Sequence, residues 1–266
     1  MNSSCVHSAY RVQVLDRTFA ILAALGESGE FIGATELGKR LRLSKSTVHR
    51  LLCVLEQHRY VERDVVSARY RLGVKIMELN GFGLPGKELL DSARPYVERL
   101  AGETGEAAHV GILRKEEVVS ILHAPGESEV QKQSTVGRRS PFHCTSLGKA
   151  ILAFHPAADE LIGSHKFLVY TRKTIRNSAD FRHELLNVRR RGVAIDNEEF
   201  QTGLRCIGAP VRNSSGEAVA AISIAGPLSR ITAERAPELA RRVLLAAKSL
   251  SDSCAKNYPS LTLKVL

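Results

Sequence analysis

The spacing of apolar residues at the start of the chain predicts two short helices. The first covers residues 13–25, where apolar side chains recur four, three and three positions apart, on one helical face: Leu15, Phe19, Leu22 and Leu25. Gly26 and Gly29 follow this run, and glycine is a common residue just after a helix end. A second helix is predicted from Thr35 to about Leu41.

A third helix and a hairpin follow. Ser44 is suited to cap a helix that begins at Lys45. The buried stripe of that helix is predicted from apolar residues at i, i+3, i+4 and i+7: Val48, Leu51, Leu52 and Leu55. The runs "YVERD" and "ARYRLG" then alternate polar and apolar positions and are joined by "VVS", a pattern typical of a β-hairpin. Three helices followed by a hairpin predict a winged helix-turn-helix.

The pattern of the rest of the chain predicts a second domain of a different kind. Residues 74–103 look helical, with an interruption at "GFGLPG" that indicates a domain boundary, while Pro95 would kink or begin a further helix. Five short β-rich runs come next, bounded by Gly, Pro, Asn or Ser: "AAHVGIL", "EVVSILHA", "GVAIDN", "CIGAPVR" and "AVAAISIAG". Helical stretches separate them near residues 146–154, 179–191 and 232–253. These patterns predict an α+β domain around one sheet.

The predicted organisation has four parts. A winged helix-turn-helix domain covers residues 1–74, a linker helix 75–95, an α+β domain 96–256 and a C-terminal tail 257–266. The length of 266 residues suits two ordinary domains, and an apolar content of 44% is enough for buried cores.

The charge distribution and the cysteine content indicate the kind of partner and the compartment of the protein. The first 75 residues contain 12 basic and 7 acidic residues, which is half of the net charge of +10 on less than a third of the chain. This concentration favours nucleic acid as a partner. The five cysteines are scattered, and no apolar run approaches the length of a membrane span. We therefore expect a cytoplasmic protein with no membrane partner.

The polar half of the third helix carries the candidate DNA-binding chemistry. A helix-turn-helix motif has two helices, which here are the second and third helices of the chain. The N-terminal residues of the later helix contact base edges in the major groove. Basic and hydroxyl side chains there can bind phosphates or bases. The predicted DNA-binding residues are Thr35, at the start of the second helix, and, at the start of the third helix, Ser44, Lys45, Ser46, Thr47, His49 and Arg50. On the hairpin, Arg63, Arg69 and Arg71 are predicted to contact the DNA backbone or the minor groove.

Three segments together resemble the IclR family of bacterial transcriptional regulators. The first is "TELGKRLRLSKSTVHRLLCVLEQHRYVERD", followed by "YRLG", which resembles that family's DNA-binding domain. The others are "VGRRSPFHCTSLGKAILA" and "DNEEFQTGLRCIGAPVRNSSGEAVAAISIAGP", which resemble motifs of its effector-binding domain. The resemblance implies a winged helix-turn-helix, a linker helix and a GAF-like ligand domain with a central antiparallel sheet, assembled as a dimer or a dimer of dimers.

The same resemblance implies a pocket for a small organic effector, often a carboxylic acid, without a further cofactor. The predicted effector-binding residues are Cys144, Thr145, Ser146, Asp196, Glu198, Leu204, Cys206 and Ser223. Independently of the family, Thr145 or Ser146 is placed to cap a helix whose free N–H groups suit an anion. The chain differs from some members at Ala225, where they carry a further polar residue. The implied function is a ligand-responsive repressor on a palindromic operator.

Three other interpretations are compatible with parts of the sequence. In an enzyme, Cys144 or Cys206 would act as a nucleophile with a histidine such as His143 as base, but neighbouring residues of an extended segment point to opposite faces. A metal site could use histidines and cysteines of the second domain, although none has zinc-finger spacing: His109, His123, His143, Cys144 and Cys206. Finally, the second domain could serve only for oligomerisation.

Overall fold

The structure is a computed structural model that describes residues 12–81, 87–127 and 135–257. The chain divides into two units, Met1–Leu84 and Pro85–Leu266. Cys5, most of the "GFGLPG" interruption and all but the first residue of the predicted tail lie outside the described residues. Within the described residues, no helix combines the length and the hydrophobicity that crossing a bilayer requires.

The first unit contains the predicted helices and hairpin. Its elements are α1 (Gln13–Ser28), α2 (Ala34–Leu41), α3 (Lys45–Gln57), β1 (Val61–Arg63), β2 (Tyr70–Leu72) and α4 (Val74–Gly81). Strands β1 and β2 pair antiparallel, with Val61 opposite Leu72. Ile32 also pairs with Tyr70, which ties the segment between α1 and α2 to the hairpin. The winged helix-turn-helix predicted from the sequence is confirmed.

The core of this unit uses only the C-terminal half of the apolar stripe predicted on α1. The buried residues of α1 are Ile21, Ala24 and Leu25. Leu15 and Phe19 are 50% and 64% exposed. Leu25 and the partly buried Leu22 thus pack in this core as predicted, whereas Leu15 and Phe19, in the N-terminal half of the helix, remain at the surface.

The second unit is built on a six-stranded antiparallel sheet in the order β5-β4-β3-β8-β7-β6. Its strands are β3 (Ala107–Arg114), β4 (Glu117–Ala124), β5 (Arg139–Pro141), β6 (Ala194–Asn197), β7 (Leu204–Arg212) and β8 (Ala218–Pro227). Its helices are α5 (Lys87–Thr104), α6 (Ser146–Leu152), α7 (Ala158–Ser164), α8 (Ser178–Arg191) and α9 (Ala236–Asn257). The five predicted strands are present, whereas β5 and α7 were not predicted.

Helices cover both faces of this sheet. Helices α5 and α9 pack together on one face, and α6 packs on the opposite face against β7 and β8, with α8 beside it. Gly208 on β7 permits this close approach, since a Cβ there would lie 3.0 Å from the backbone carbonyl carbon of Ser146. The start of α6 is consequently held directly over the middle of the sheet.

The predicted linker helix corresponds to two separate elements. Residues 75–95 include most of α4 and the first half of α5. In α5, Leu89, Ala93 and Val97 are fully buried in the core of the second unit. Pro95 lies inside α5, so it does not begin a further helix. The boundary between the two units falls between Leu84 and Pro85, within the predicted glycine-rich interruption.

Candidate functional site

The third helix begins with a side-chain cap. The Ser44 Oγ accepts a hydrogen bond of 3.2 Å from the backbone N–H of Thr47, as the sequence predicts. The Thr47 hydroxyl lies 2.8 Å from the same oxygen, so this half-buried threonine is engaged within the cap. The turn that precedes α3 is therefore fixed by local hydrogen bonds.

Two opposite faces of α3 have distinct environments. Val48, Leu52 and Leu55 are buried against the other helices, and the predicted DNA-binding residues on the other side are exposed: Ser44, Lys45, Ser46, His49 and Arg50. Neither Lys45 nor Arg50 forms an ion pair with any of the described residues. Two cations without carboxylate partners on an exposed helix face suit the phosphates of a polyanion.

Two of the three hairpin arginines predicted to contact DNA form hydrogen bonds within the first unit. Arg71 donates two hydrogen bonds to Glu62, of 3.0 and 2.8 Å, and lies over the ring of Phe31. Arg69 donates to the carbonyl of Phe31 and lies 3.9 Å from Glu36. Arg63 has no carboxylate partner among the described residues and lies over Tyr70. Thr35, also predicted, is exposed near the start of α2.

A cavity of about 120 Å³ lies in the second unit between the sheet and the start of α6. Adjacent strands bring its polar residues together, because His109 on β3 is opposite Ser223 on β8, and Cys206 on β7 is opposite both Ala225 and Asp196. The lining residues are His109, Ser120, Thr135, Arg138, Ser140, Thr145, Ser146, Leu147, Asp196, Phe200, Gln201, Leu204, Cys206, Ser223 and Ala225.

Six of the eight predicted effector residues line this cavity: Thr145, Ser146, Asp196, Leu204, Cys206 and Ser223. The other two do not. Cys144 is fully buried beside the cavity, and the carboxylate of Glu198 turns away from it to accept hydrogen bonds from Lys173 and the N–H of Gly203. Thr145 caps α6 by accepting a hydrogen bond of 3.3 Å from the N–H of Gly148.

Asp196 is the most perturbed carboxyl group of the cavity. Its burial raises its pKa to about 7, an effect that hydrogen bonding only partly offsets. The hydrogen bonds come from the N–H of Glu199 at 2.7 Å and of Phe200 at 3.4 Å. The thiol of Cys206 is also hydrogen-bonded to Asp196, and burial raises the pKa of that thiol. Near neutral pH, Asp196 is therefore partly protonated, and the inner end of the cavity carries less negative charge than an ordinary carboxylate would give it.

A buried lysine supports the strand that carries Asp196 and the segment that follows it. Lys149 on α6 is 1% exposed, and its Nζ donates to Glu199 Oε1 and to the carbonyl of Ile195, both at 2.5 Å. A weaker contact of 3.5 Å reaches Glu184 on α8. One ammonium group thus joins α6, α8 and the end of β6. This role could not be predicted from the sequence, because a lysine on an amphipathic helix usually faces water.

The outer part of the cavity carries a cation. Arg138 is exposed, lines the cavity and lies 5.9 Å from the ring centroid of Phe200. Its backbone is fixed by hydrogen bonds with Ser120 and Thr135, of 3.0 and 2.9 Å. The neighbouring His109 is neutral near pH 7, because burial is the main cause that lowers its pKa to about 3. Arg138 belongs to the segment "VGRRSPFHCTSLGKAILA", which resembles a motif of the family. Only the pairing of strands in the structure shows that it reaches the cavity.

The alternative chemistries receive little support from the geometry. Among the described residues, no group of three or more His, Cys, Asp or Glu side chains is arranged to hold a metal ion. Burial raises the pKa of the Cys144 thiol well above its usual range, and the same holds for Cys206. A nucleophilic cysteine needs a lowered pKa, so neither thiol has the expected environment.

Comparison with known proteins identifies the family. Residues 83–252 match the model "Bacterial transcriptional regulator IclR C-terminal", and residues 14–65 match "IclR helix-turn-helix domain". The chain belongs to the IclR family. Members of this family are transcriptional regulators with a DNA-binding helix-turn-helix and an effector-binding C-terminal domain, and they are not enzymes.

Individual IclR-family relatives cover nearly the whole chain. The regulator KdgR of Dickeya chrysanthemi is 35% identical over 91% of this chain and 80% of its own length. The transcriptional repressor IclR of Escherichia coli K12 is 30% identical over 91% of this chain and 89% of its own length. The crystal structure of Thermotoga maritima IclR has a TM-score of 0.77 at 28% identity, covering 92% of this chain and all of the other.

Proposed function

We propose that this IclR-family regulator is a repressor that binds a palindromic operator as a dimer or a dimer of dimers and is controlled by a small organic anion. The observation that carries the proposal is the cavity at the start of α6, in which polar groups of four strands converge below one arginine. The names of relatives support the repressor role, since one of them is a transcriptional repressor.

The charges at the cavity support a monoanionic ligand. Arg138 is a cation among the lining residues, while His109 is neutral and Asp196 is largely protonated below pH 7. An arginine binds a carboxylate in a two-pronged geometry, and the protonated carboxyl of Asp196 can donate to a ligand oxygen. A volume of 120 Å³ is about four times the share of one water molecule in the liquid. The proposed effector is therefore a small monocarboxylate with a second polar group.

A thermal-shift comparison of acids with their amides tests the ligand class. We expect saturable stabilisation of the protein by one or more small monocarboxylates and none by the matching amides, for example with lactate against lactamide and 4-hydroxybenzoate against 4-hydroxybenzamide. At a ligand concentration 100 times Kd, the stabilisation is about 2.7 kcal/mol. Arg138→Gln is expected to weaken binding about tenfold, because a charge-assisted hydrogen bond is lost.

Arg139→Gln is the matched control for this experiment. Arg139 is the next residue, but it is paired with Glu117 at 3.2 Å and does not line the cavity. Its substitution should leave the ligand affinity unchanged. If no acid stabilises the protein, or if acid and amide act equally, the proposed ligand class is wrong. The first of these outcomes would favour a second unit that serves for oligomerisation.

The salt dependence of operator binding tests the role of α3. We expect Lys45→Ala and Arg50→Ala each to weaken binding and to reduce the slope of log K against log salt by about 0.9, the value for one phosphate contact. The DNA is the region upstream of the protein's own gene, delimited by footprinting. Arg139→Gln again serves as the control for a lost surface charge. Wild-type affinity and slope in both α3 variants would contradict the assignment.

A further inference from the structure

The tip of the β1–β2 hairpin carries an unexplained apolar pair. Val65 and Val66 are 93% and 95% exposed, more than any other large apolar side chain among the described residues. They occupy a turn, where Gly, Asn, Asp and Ser are favoured, and valine is more typical of a strand. Single exposed apolar residues are ordinary, but two adjacent β-branched residues at a turn are not explained by folding.

The turn that presents these valines is held by its own hydrogen bonds. The Asp64 carboxylate accepts from the N–H of Val66 at 3.3 Å and of Ser67 at 3.0 Å, and also from the Ser67 hydroxyl. The backbone closes the turn as well, since the N–H of Asp64 donates to the carbonyl of Arg69 at 2.8 Å. The acidic group is thus occupied inside the turn, and the valine side chains project from an ordered frame.

The charged residues near the tip point to the kind of partner. Arg63 and Arg69 flank the turn in a unit that carries excess positive charge, so a polyanion is attracted to this surface. Arg71, however, is held by Glu62 and Phe31 and is not free to project toward DNA. The part of the hairpin that projects furthest is therefore apolar, and its basic residues lie behind it.

We propose that Val65 and Val66 contact the minor groove of the operator, and that this hairpin binds DNA through apolar contacts rather than through an inserted arginine. Proteins that bind the minor groove often place apolar side chains against sugars and base steps. The contact buries apolar surface without neutralising a phosphate. It therefore strengthens binding and leaves the number of released counterions unchanged. This inference rests on the operator binding proposed above.

The double variant Val65→Ser with Val66→Ser tests the inference by affinity and salt slope together. We expect operator affinity to fall about tenfold, while the slope of log K against log salt remains that of the wild type. The variant should keep the wild-type melting temperature because both side chains are exposed. Leu168→Ser with Val169→Ser is the matched control, since this is also an exposed apolar pair but lies in the second unit, and it should not change affinity.

Modified DNA tests which groove is contacted. Replacing adenine by 2,6-diaminopurine adds an amino group in the minor groove and leaves the major-groove edge unchanged. The replacement is made at the positions that the hairpin protects in a footprint. It should lower the operator affinity of the wild-type protein and have little effect on the affinity of the double serine variant. The inference would be overturned if the double serine variant bound the operator with wild-type affinity, or if its salt slope were reduced. It would also be overturned if diaminopurine affected both proteins equally.

Failure of operator binding itself gives a different pattern of results. If the wild-type protein binds no DNA, the proposed function and the hairpin contact fall together. If the wild-type protein binds and Lys45→Ala reduces the slope, but the serine variant is unaffected, then only the hairpin contact is wrong. A change in oligomeric mass without a change in DNA affinity would assign the valines to an interface between proteins and would equally overturn the inference.

Discussion

Replacing Lys149 by methionine is expected to destabilise the second unit by about 3–5 kcal/mol, as measured by chemical denaturation near pH 7.5. The ammonium group is 1% exposed, and it is the cation nearest to Glu199, one of whose carboxylate oxygens already has no hydrogen-bond partner among the described residues. Removing the lysine leaves this carboxylate in a poorly hydrated site. It also removes a donor from the carbonyl of Ile195.

Two further variants separate this effect from a general loss of packing. Lys149→Met combined with Glu199→Leu should recover most of the stability, because replacing both members of a buried pair by apolar residues is often close to neutral. Glu184 keeps Arg191 as a partner in that variant. Lys173→Met, which removes an exposed lysine paired with Glu198, should cost less than about 1 kcal/mol. A double variant as unstable as the single variant would contradict the explanation.

Asp196 is expected to contribute a decrease in the stability of the second unit as pH rises from about 4 to about 7, opposite in sign to the contribution of His109, whose lowered pKa makes stability rise with pH. Burial raises the pKa of this carboxyl from 3.8 to about 7. Between these two values the folded state holds a proton that the unfolded state has lost, so stability decreases as pH rises. The stabilisation is complete below pH 3.8 and is lost as pH rises through about 7. Its size is about 4 kcal/mol, at 1.36 kcal/mol for each pH unit.

Asp196→Asn is the variant that checks this assignment. Asparagine does not ionise and can still accept the hydrogen bond from the N–H of Glu199. The difference in unfolding free energy between the variant and the wild type should therefore shift in favour of the variant as pH rises from about 4 to about 7. Glu198→Gln is the control, because hydrogen bonding to Lys173 lowers rather than raises the pKa of Glu198. Parallel pH profiles for wild type and Asp196→Asn would contradict the prediction.

Structural features that depend on residues close together in the sequence could be predicted. The cap at Ser44 and the alternation around β1 and β2 depend on hydrogen bonds and side-chain directions within a few residues. The buried face of α1 could not be chosen in this way, because Phe19 and Ile21 are both apolar and only packing against the other helices selects between them. The strand β5 was missed because it has three residues and includes a proline.

The candidate cavity was only partly predictable for a similar reason. The family resemblance supplied Asp196, Cys206 and Ser223, which all line it. The contribution of His109 depends on the pairing of β3 with β8, which brings together residues 114 positions apart. Lys149 was missed because its burial requires carboxylates from two distant segments, and sequence spacing does not reveal their convergence.

The pairing of strands also affects how this sensor can diverge. Asp196, Cys206 and Ala225 stand side by side on three adjacent strands, and Ser223 lies two residues from Ala225 on the same face. The backbone holds these positions in place whatever side chains they carry. A single substitution at residue 225 can therefore alter the chemical signal that is recognised while the sheet stays intact. A duplicated gene could acquire specificity for a new effector in this way and still encode a protein that folds at every step.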